Sequence, residues 1–227
     1  MANNIYLIGG GKGGVGKSMV SMATIDYLLQ READLLLIDA DTSNPDVWKA
    51  YKDTTRSDLL DLDNADGWIE LINLCDSNAD STIVINTAAR SNKAVNAYGT
   101  ILSNTLPELK RKLITLWVIN RQRDSLELLK EYMDAIPDTV VHVIRNGYFG
   151  EERKFELYNG SKRRTVVEER GGLSLTFPDL ADRVSDDIYS KRLNIAQAST
   201  ELPMGNRAEL QRWRGAVKTM MDRLPHE

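Results

Sequence analysis

Six apolar runs recur along the chain, at residues 5–8, 35–38, 82–85, 113–119, 139–144 and 173–177. Most are apolar without alternation, which predicts strands covered on both faces, as in a parallel sheet. Between them, helical spacing of apolar positions appears at about 16–31, 65–76, 93–102, 125–135, 151–158, 179–198 and 207–224. Strand and helix in alternation specify an α/β fold, a doubly wound and mostly parallel sheet with helices on both faces. Ligands of such sheets sit beyond the carboxyl ends of the strands, so the segment after each strand is where chemistry is expected. No internal repeat or low-complexity linker breaks the series, and 227 residues suit one domain, 1–227, with a full core.

The segment after the first run is the most specific. Residues 9–18 read GGGKGGVGKS, and Gly11, Gly16, Lys17 and Ser18 satisfy GxxxxGK[ST] between a strand and a helix. Backbone N–H groups of Gly13, Gly14, Val15 and Gly16 can turn inward around phosphate oxygens, where a Cβ would obstruct the approach. Lys17 adds a point charge and Ser18 a hydroxyl for Mg²⁺, while the helix directs the positive end of its dipole at the anion. The predicted ligand is a nucleotide.

After the second run comes Asp39-Ala40-Asp41. Two carboxylates at i and i+2 on a loop point the same general way and can serve a metal-bound water and an attacking water. The plainer alternative is a polar turn capping a helix, which Asn44-Pro45-Asp46 also announces.

Lys12 opens the stretch KGGVGKS, and this spelling resembles the deviant Walker A loop of the MinD and ParA family of ATPases. The resemblance implies ATP and ADP as ligands with Mg²⁺, and an ATP-dependent nucleotide-sandwich homodimer in which Lys12 reaches the phosphates held by the partner. The alternative is a solvated loop lysine. The resemblance further implies slow hydrolysis, stimulated by an activating or cargo protein, that positions or segregates cargo. The shape Asn146-Gly147-Tyr148-Phe149-Gly150 is similar to ParA-like proteins of conjugation regions, which favours plasmid partition or transfer. Carried over by position, Gly11 to Ser18 and Met19 hold the nucleotide and Lys12, Lys17 and Asp41 are catalytic, Asp41 by orienting or deprotonating the water. Ser18 and Asp39 serve the metal, the Asn146 amide reads the base, and Pro178 contributes a wall of the base pocket.

At the end of the third run the chain departs from that family. Asn86-Thr87-Ala88-Ala89-Arg90 stands where an aspartate followed by Thr-Pro-Ala-Gly is expected. Asn86 carries no charge, so metal attraction there is reduced, and slow hydrolysis or a non-hydrolysing switch becomes credible. On this reading Asn86→Asp raises turnover or Mg²⁺ affinity. Arg90 is either solvated or a guanidinium near the γ-phosphate. A small-molecule kinase or ligase of the same fold is a further alternative, without a substrate motif to support it.

A net charge of −4 argues against a nucleic-acid coat over the whole surface. The triplets Lys110-Arg111-Lys112 and Lys162-Arg163-Arg164 leave nonspecific DNA binding open. A single cysteine, Cys75, excludes a cluster or zinc of the kind that needs a pair of cysteines per chain, and predicts core packing. His142 and His226 lack ligand-like neighbours. No apolar run approaches the ~18 residues of a membrane span, and a cytoplasmic protein is expected. Leu210, Trp213, Val217, Met220, Met221 and Leu224 share one helical face, predicting a core-covering helix rather than one that lies on a membrane.

Overall fold

The structure, a computed structural model, describes residues 4–225 apart from Arg90 and Asp138. Its strands are β1 (Ile5–Gly9), β2 (Leu35–Asp39), β3 (Arg56–Leu59), β4 (Thr82–Asn86), β5 (Leu113–Ile119), β6 (Val140–Asn146) and β7 (Ser174–Phe177). They form a seven-stranded sheet in the order β3-β2-β4-β1-β5-β6-β7, with every pairing parallel. The doubly wound fold expected from the apolar runs is therefore present. All six runs are strands; β3 is an addition. Its sequence, RSDL, has no apolar run because it lies at the edge and is largely exposed, held by pairing with β2 and by Arg56, which bonds to Asp34, Asn78 and Ser81.

The helices are α1 (Lys17–Leu29), α2 (Asp46–Tyr51), α3 (Ala65–Ser77), α4 (Asn92–Leu109), α5 (Arg123–Ala135), α6 (Glu156–Asn159), α7 (Lys162–Glu169), α8 (Asp182–Lys191), α9 (Ile195–Glu201) and α10 (Met204–Met221). The stretch predicted as one helix at 179–198 is two. Arg192 takes a left-handed conformation, φ 53°, and Asn194 starts α9 with a reciprocal capping box to Gln197. The stretch predicted at 151–158 breaks into a 3₁₀ turn, Glu152–Lys154, and the short α6.

Alternate strand residues feed two cores. Ile8, Val84, Leu116 and Ile144 pack under α1, α2, α8, α9 and α10, while Leu7, Ile85, Trp117 and Val143 pack under α3, α4, α5, α6 and α7. The C-terminal helix covers the first of these, as its apolar face predicts: Leu210, Trp213, Val217, Met220, Met221 and Leu224 are all buried. It is held by an edge-to-face contact of Trp213 with Phe177 and by a two-point ion pair from Arg214 to Asp26 on α1, at 2.9 and 2.8 Å. Cys75 packs in the second core, free and buried.

Burial revises one basic triplet. Arg111 is 7% exposed and spends its guanidinium on the backbone carbonyls of Ser81 and Asn78, so it stitches the sheet end rather than facing a polyanion. In the other triplet Arg164 pairs with Glu168 on the same helix. His142 is fully buried. Its Nδ1 accepts from the Leu173 N–H at 3.1 Å, and burial pushes its pKa down to about 4. His226 lies outside the described residues. No helix among those described is long and apolar enough to cross a membrane.

Candidate functional site

The chain enters the sheet at its centre, on β1. It steps out to β2 and β3, returns to β4 between β1 and β2, and then crosses to β5. The connections on either side of β1 thus leave in opposite directions, which opens a crevice at its carboxyl end. The loop between β1 and α1 occupies that crevice. Gly14 and Gly16 hold φ 75° and 102°, and Gly16 is the left-handed residue from which α1 starts. A Cβ at Gly16 would also lie 2.2 Å from Asn146 Nδ2. Gly16→Ala is accordingly expected to cost about 2 kcal/mol and to misalign the loop. Thermal unfolding with and without ADP checks this; an unchanged midpoint and an unchanged ADP shift would mean that Asn146 swings aside freely.

Lys17, the first residue of α1, is 7% exposed and donates to the Lys12 carbonyl at 3.0 Å. Burial lowers its pKa to about 8, against the pull of the Asp41 carboxylate. Lys12 points the other way. Its ammonium donates to Gln122 Oε1 at 3.1 Å and pairs with Asp124 at the start of α5. It is neither buried nor simply solvated, but tethered within its own chain by an exposed pair of small worth.

Asp39, at the end of β2, is fully buried. Its Oδ1 accepts from Asn86 Nδ2 at 2.8 Å and from the Asp41 N–H at 3.1 Å, and its Oδ2 accepts from the Trp48 N–H at 3.0 Å. Burial raises its pKa, and these three donors oppose the rise. Asn86 in turn accepts from Ser21 Oγ at 2.9 Å, so one amide links β4, β2 and α1. Asp41 is more open. Its Oδ1 accepts from Ser43 Oγ at 2.8 Å and the Asn44 N–H at 3.2 Å, a turn that precedes α2. The acidic loop is locally a polar turn, and Asp41 Oδ2 forms no hydrogen bond within it.

A cleft of about 180 Å³ lies beside the loop. Gly14, Gly16, Met19, Asn146 and Pro178, separated widely in sequence, line it together. Asn146 is engaged within the protein, donating to the Val15 carbonyl at 2.8 Å and accepting from the Tyr148 N–H at 3.1 Å. One amide proton and one lone pair remain for a base edge. The Pro178 carbonyl accepts from Trp213 Nε1 at 2.9 Å, which fixes that wall to α10. Tyr148, Tyr189 and Asp179 also line the cleft. Tyr148 falls within the segment 146–150 and Asp179 directly follows Pro178, whereas no sequence signal marks Tyr189. Arg90 lies outside the described residues.

The donor set suits Mg²⁺ in the form that borrows most ligands from phosphates and water. Among the described residues no cluster of three or more His, Cys, Asp or Glu could cage a metal by itself. Asp39, with both oxygens already accepting N–H bonds, fits an outer position behind water, whereas the Ser18 hydroxyl and Asp41 Oδ2 remain available.

Residues 6–147 match the model of the CobQ/CobB/MinD/ParA nucleotide binding domain. "Protein MobD" of Acidithiobacillus ferrooxidans is 70% identical over 227 residues, covering all of both chains. Among solved structures, the MinD cell division protein of Aquifex aeolicus superposes with a TM-score of 0.56 at 14% identity, covering 99% of each chain. A chain of the MinC:MinD cell division protein complex from the same organism gives 0.53 at 13% identity over 93% of this chain and 96% of that one. A nucleotide-binding protein of Archaeoglobus fulgidus in complex with ADP gives 0.50 at 14% identity, covering 88% and 89%. At these identities the structural likeness speaks for the fold, whereas the match over residues 6–147 spans more than half of the sequence. The chain belongs to the CobQ/CobB/MinD/ParA nucleotide-binding family.

Proposed function

We propose that this chain, as one nucleotide-binding domain, is a ParA/MinD-like ATPase that binds ATP with Mg²⁺, dimerises around it, and uses slow hydrolysis to position plasmid DNA for partition or transfer. The observation that carries the reading is the loop with two lysines in different settings. Lys17 is buried and turned inward onto the loop. Lys12 is held by an exposed pair with Asp124 and a bond to Gln122, from which a partner's phosphates can draw it. The 70% identical MobD, a mobilisation-type name, supports transfer as the setting.

In this reading the N–H groups of Gly13 to Gly16 and the Lys17 ammonium hold the β- and γ-phosphates, and α1 adds its dipole. Ser18 holds the Mg²⁺ side of the site, with Asp39 behind water. When bound, the metal neutralises phosphate charge and orients the transferred group. Asp41 Oδ2 accepts a hydrogen bond from the attacking water, and Lys12 of one subunit adds positive charge at the other's γ-phosphate. The cleft at Met19, Asn146 and Pro178 takes the base.

The molar mass in solution without nucleotide, with ADP–Mg²⁺ and with ATP–Mg²⁺ tests the reading. A dimer is expected with ATP alone, and Lys12→Ala is expected to remain a monomer while still binding ATP. A monomer under all three conditions would return Lys12 to a loop residue. A second reading, a non-hydrolysing switch, rests on the Asn86–Asp39 bond, because an amide spent on a carboxylate cannot attract metal. Steady-state phosphate release separates the two.

A further inference from the structure

A cavity of about 620 Å³ lies away from the nucleotide cleft, along the free edge of β7. β7 is the last strand of the sheet and pairs only with β6. The cavity is walled on one side by Arg164 and Glu168 of α7 and on the other by Ala216, Thr219 and Met220 of α10. An edge strand left unpaired between two helices offers its outer side for one further strand.

The register decides which backbone groups face it. Val143 lies opposite Ser174, and the Val143 N–H donates to the Leu173 carbonyl at 2.8 Å. In a parallel ladder the residues of one strand alternate between its two neighbours, so Leu173 and Leu175 bond to β6 while Ser174 and Thr176 turn outward. The Ser174 carbonyl is taken by Arg145 Nη2 at 3.2 Å. This leaves the Ser174 N–H and both backbone groups of Thr176 at the open edge. Two side-chain atoms at the same place are also without partners: Thr176 Oγ1 and Nε of Arg145, a residue 2% exposed. Open edges are ordinarily blunted or covered, because they template the pairing of another chain.

The charges say what kind of chain. Three arginines and two glutamates line the cavity. Arg145 pairs with Glu152 and Arg164 with Glu168, which leaves Arg223 as the one cation of the lining with no ion pair among the described residues. We propose that the β7 edge is a docking site for an extended acidic segment of a partner protein, added to the sheet as an eighth strand, with a carboxylate set against Arg223. Main-chain bonds to Ser174 and Thr176 supply the affinity and the Arg223 contact the choice of partner.

A fluorescein-labelled peptide alternating valine with glutamate is the probe, beside the same peptide with lysine for glutamate and an acidic one N-methylated at alternate amides. The acidic peptide is expected to bind, to shift the amide resonances of Ser174 and Thr176, and to lose about tenfold in affinity with Arg223→Glu, an exposed position whose change spares the fold. The N-methylated peptide is expected not to bind, and ADP affinity is expected to be the same with or without peptide. No binding, equal binding of the lysine peptide, or indifference to Arg223→Glu overturns the proposal. So does a peptide-free dimer that protects Ser174 and Thr176, which would give the edge to a second copy, or displacement of the peptide by duplex DNA.

Discussion

Lys17→Ala is expected to abolish measurable nucleotide binding while leaving thermal stability equal or higher. In the free protein the Lys17 ammonium is 7% exposed, with the Lys12 carbonyl as its one hydrogen-bond acceptor among the described residues, so it sits partly desolvated and poorly compensated. Removing it relieves that cost. A bound triphosphate compensates it instead, because the ammonium has already lost most of its water before the ligand arrives. One charge contact at ~4 Å and an effective dielectric of ~20 is worth about 4 kcal/mol, or roughly a thousandfold in affinity.

The protonation of Lys17 gives a second readout. Its pKa in the folded protein is about 8, below the ordinary lysine value of 10.5. Between those two values the unfolded chain binds more protons, so the contribution of Lys17 to stability rises with pH across that window and is level on either side. The rise is expected to vanish in Lys17→Ala. A phosphate partner raises the pKa again, so binding at pH 8 is expected to take up about half a proton per nucleotide. Calorimetry in buffers of different ionisation enthalpy measures this. Wild-type affinity in the alanine variant, or binding without proton uptake in the wild type, would exclude Lys17 as the phosphate ligand.

The sequence showed the fold wherever burial is symmetric. Strands β1, β2, β4 and β5 are buried along their whole length, and they wrote themselves as apolar runs. β3 left no such trace, since it is an edge strand paired with β2 alone in the sheet and most of its side chains meet solvent. α7, starting Lys162-Arg163-Arg164, buries Val167 alone and so lacked an apolar period. The loop and its motif were legible because backbone geometry there demands particular residues. The partnerships were not. Nothing near Lys12 in sequence points to Asp124, nothing near Asn86 to Asp39, and the triplet at 110–112 gave no sign that Arg111 turns inward. Such pairs are set by strand order, with partners up to 112 residues apart for Lys12 and Asp124, and strand order is a property of the whole sheet.

Asn86→Asp is expected to destabilise the metal-free protein by about 3 kcal/mol at neutral pH, because it replaces a donor by a second carboxylate against buried Asp39. Asn86 Nδ2 now lies 2.8 Å from Asp39 Oδ1, and burial already holds the Asp39 carboxyl above its ordinary range. Two carboxylates at that spacing share one proton, so the pair in the variant titrates well above the unfolded value near 4. The folded variant then binds more protons than the unfolded chain between the two values, and stability falls as pH rises through that interval. The deficit is therefore full above the raised pKa and closes as pH falls toward 4, which corresponds to a melting difference of about 10 °C at pH 8 that shrinks on acidification. Under the proposed function, Mg²⁺ with ATP is expected to act in the opposite direction, since the second carboxylate adds negative charge for a divalent cation. The variant is expected to gain more in melting temperature from Mg²⁺–ATP than the wild type does, and to release phosphate faster. A melting deficit that is the same at pH 5 and pH 8, together with equal Mg²⁺–ATP shifts, would mean that Asp39 and residue 86 do not share a proton and that Asn86 is not what limits the metal.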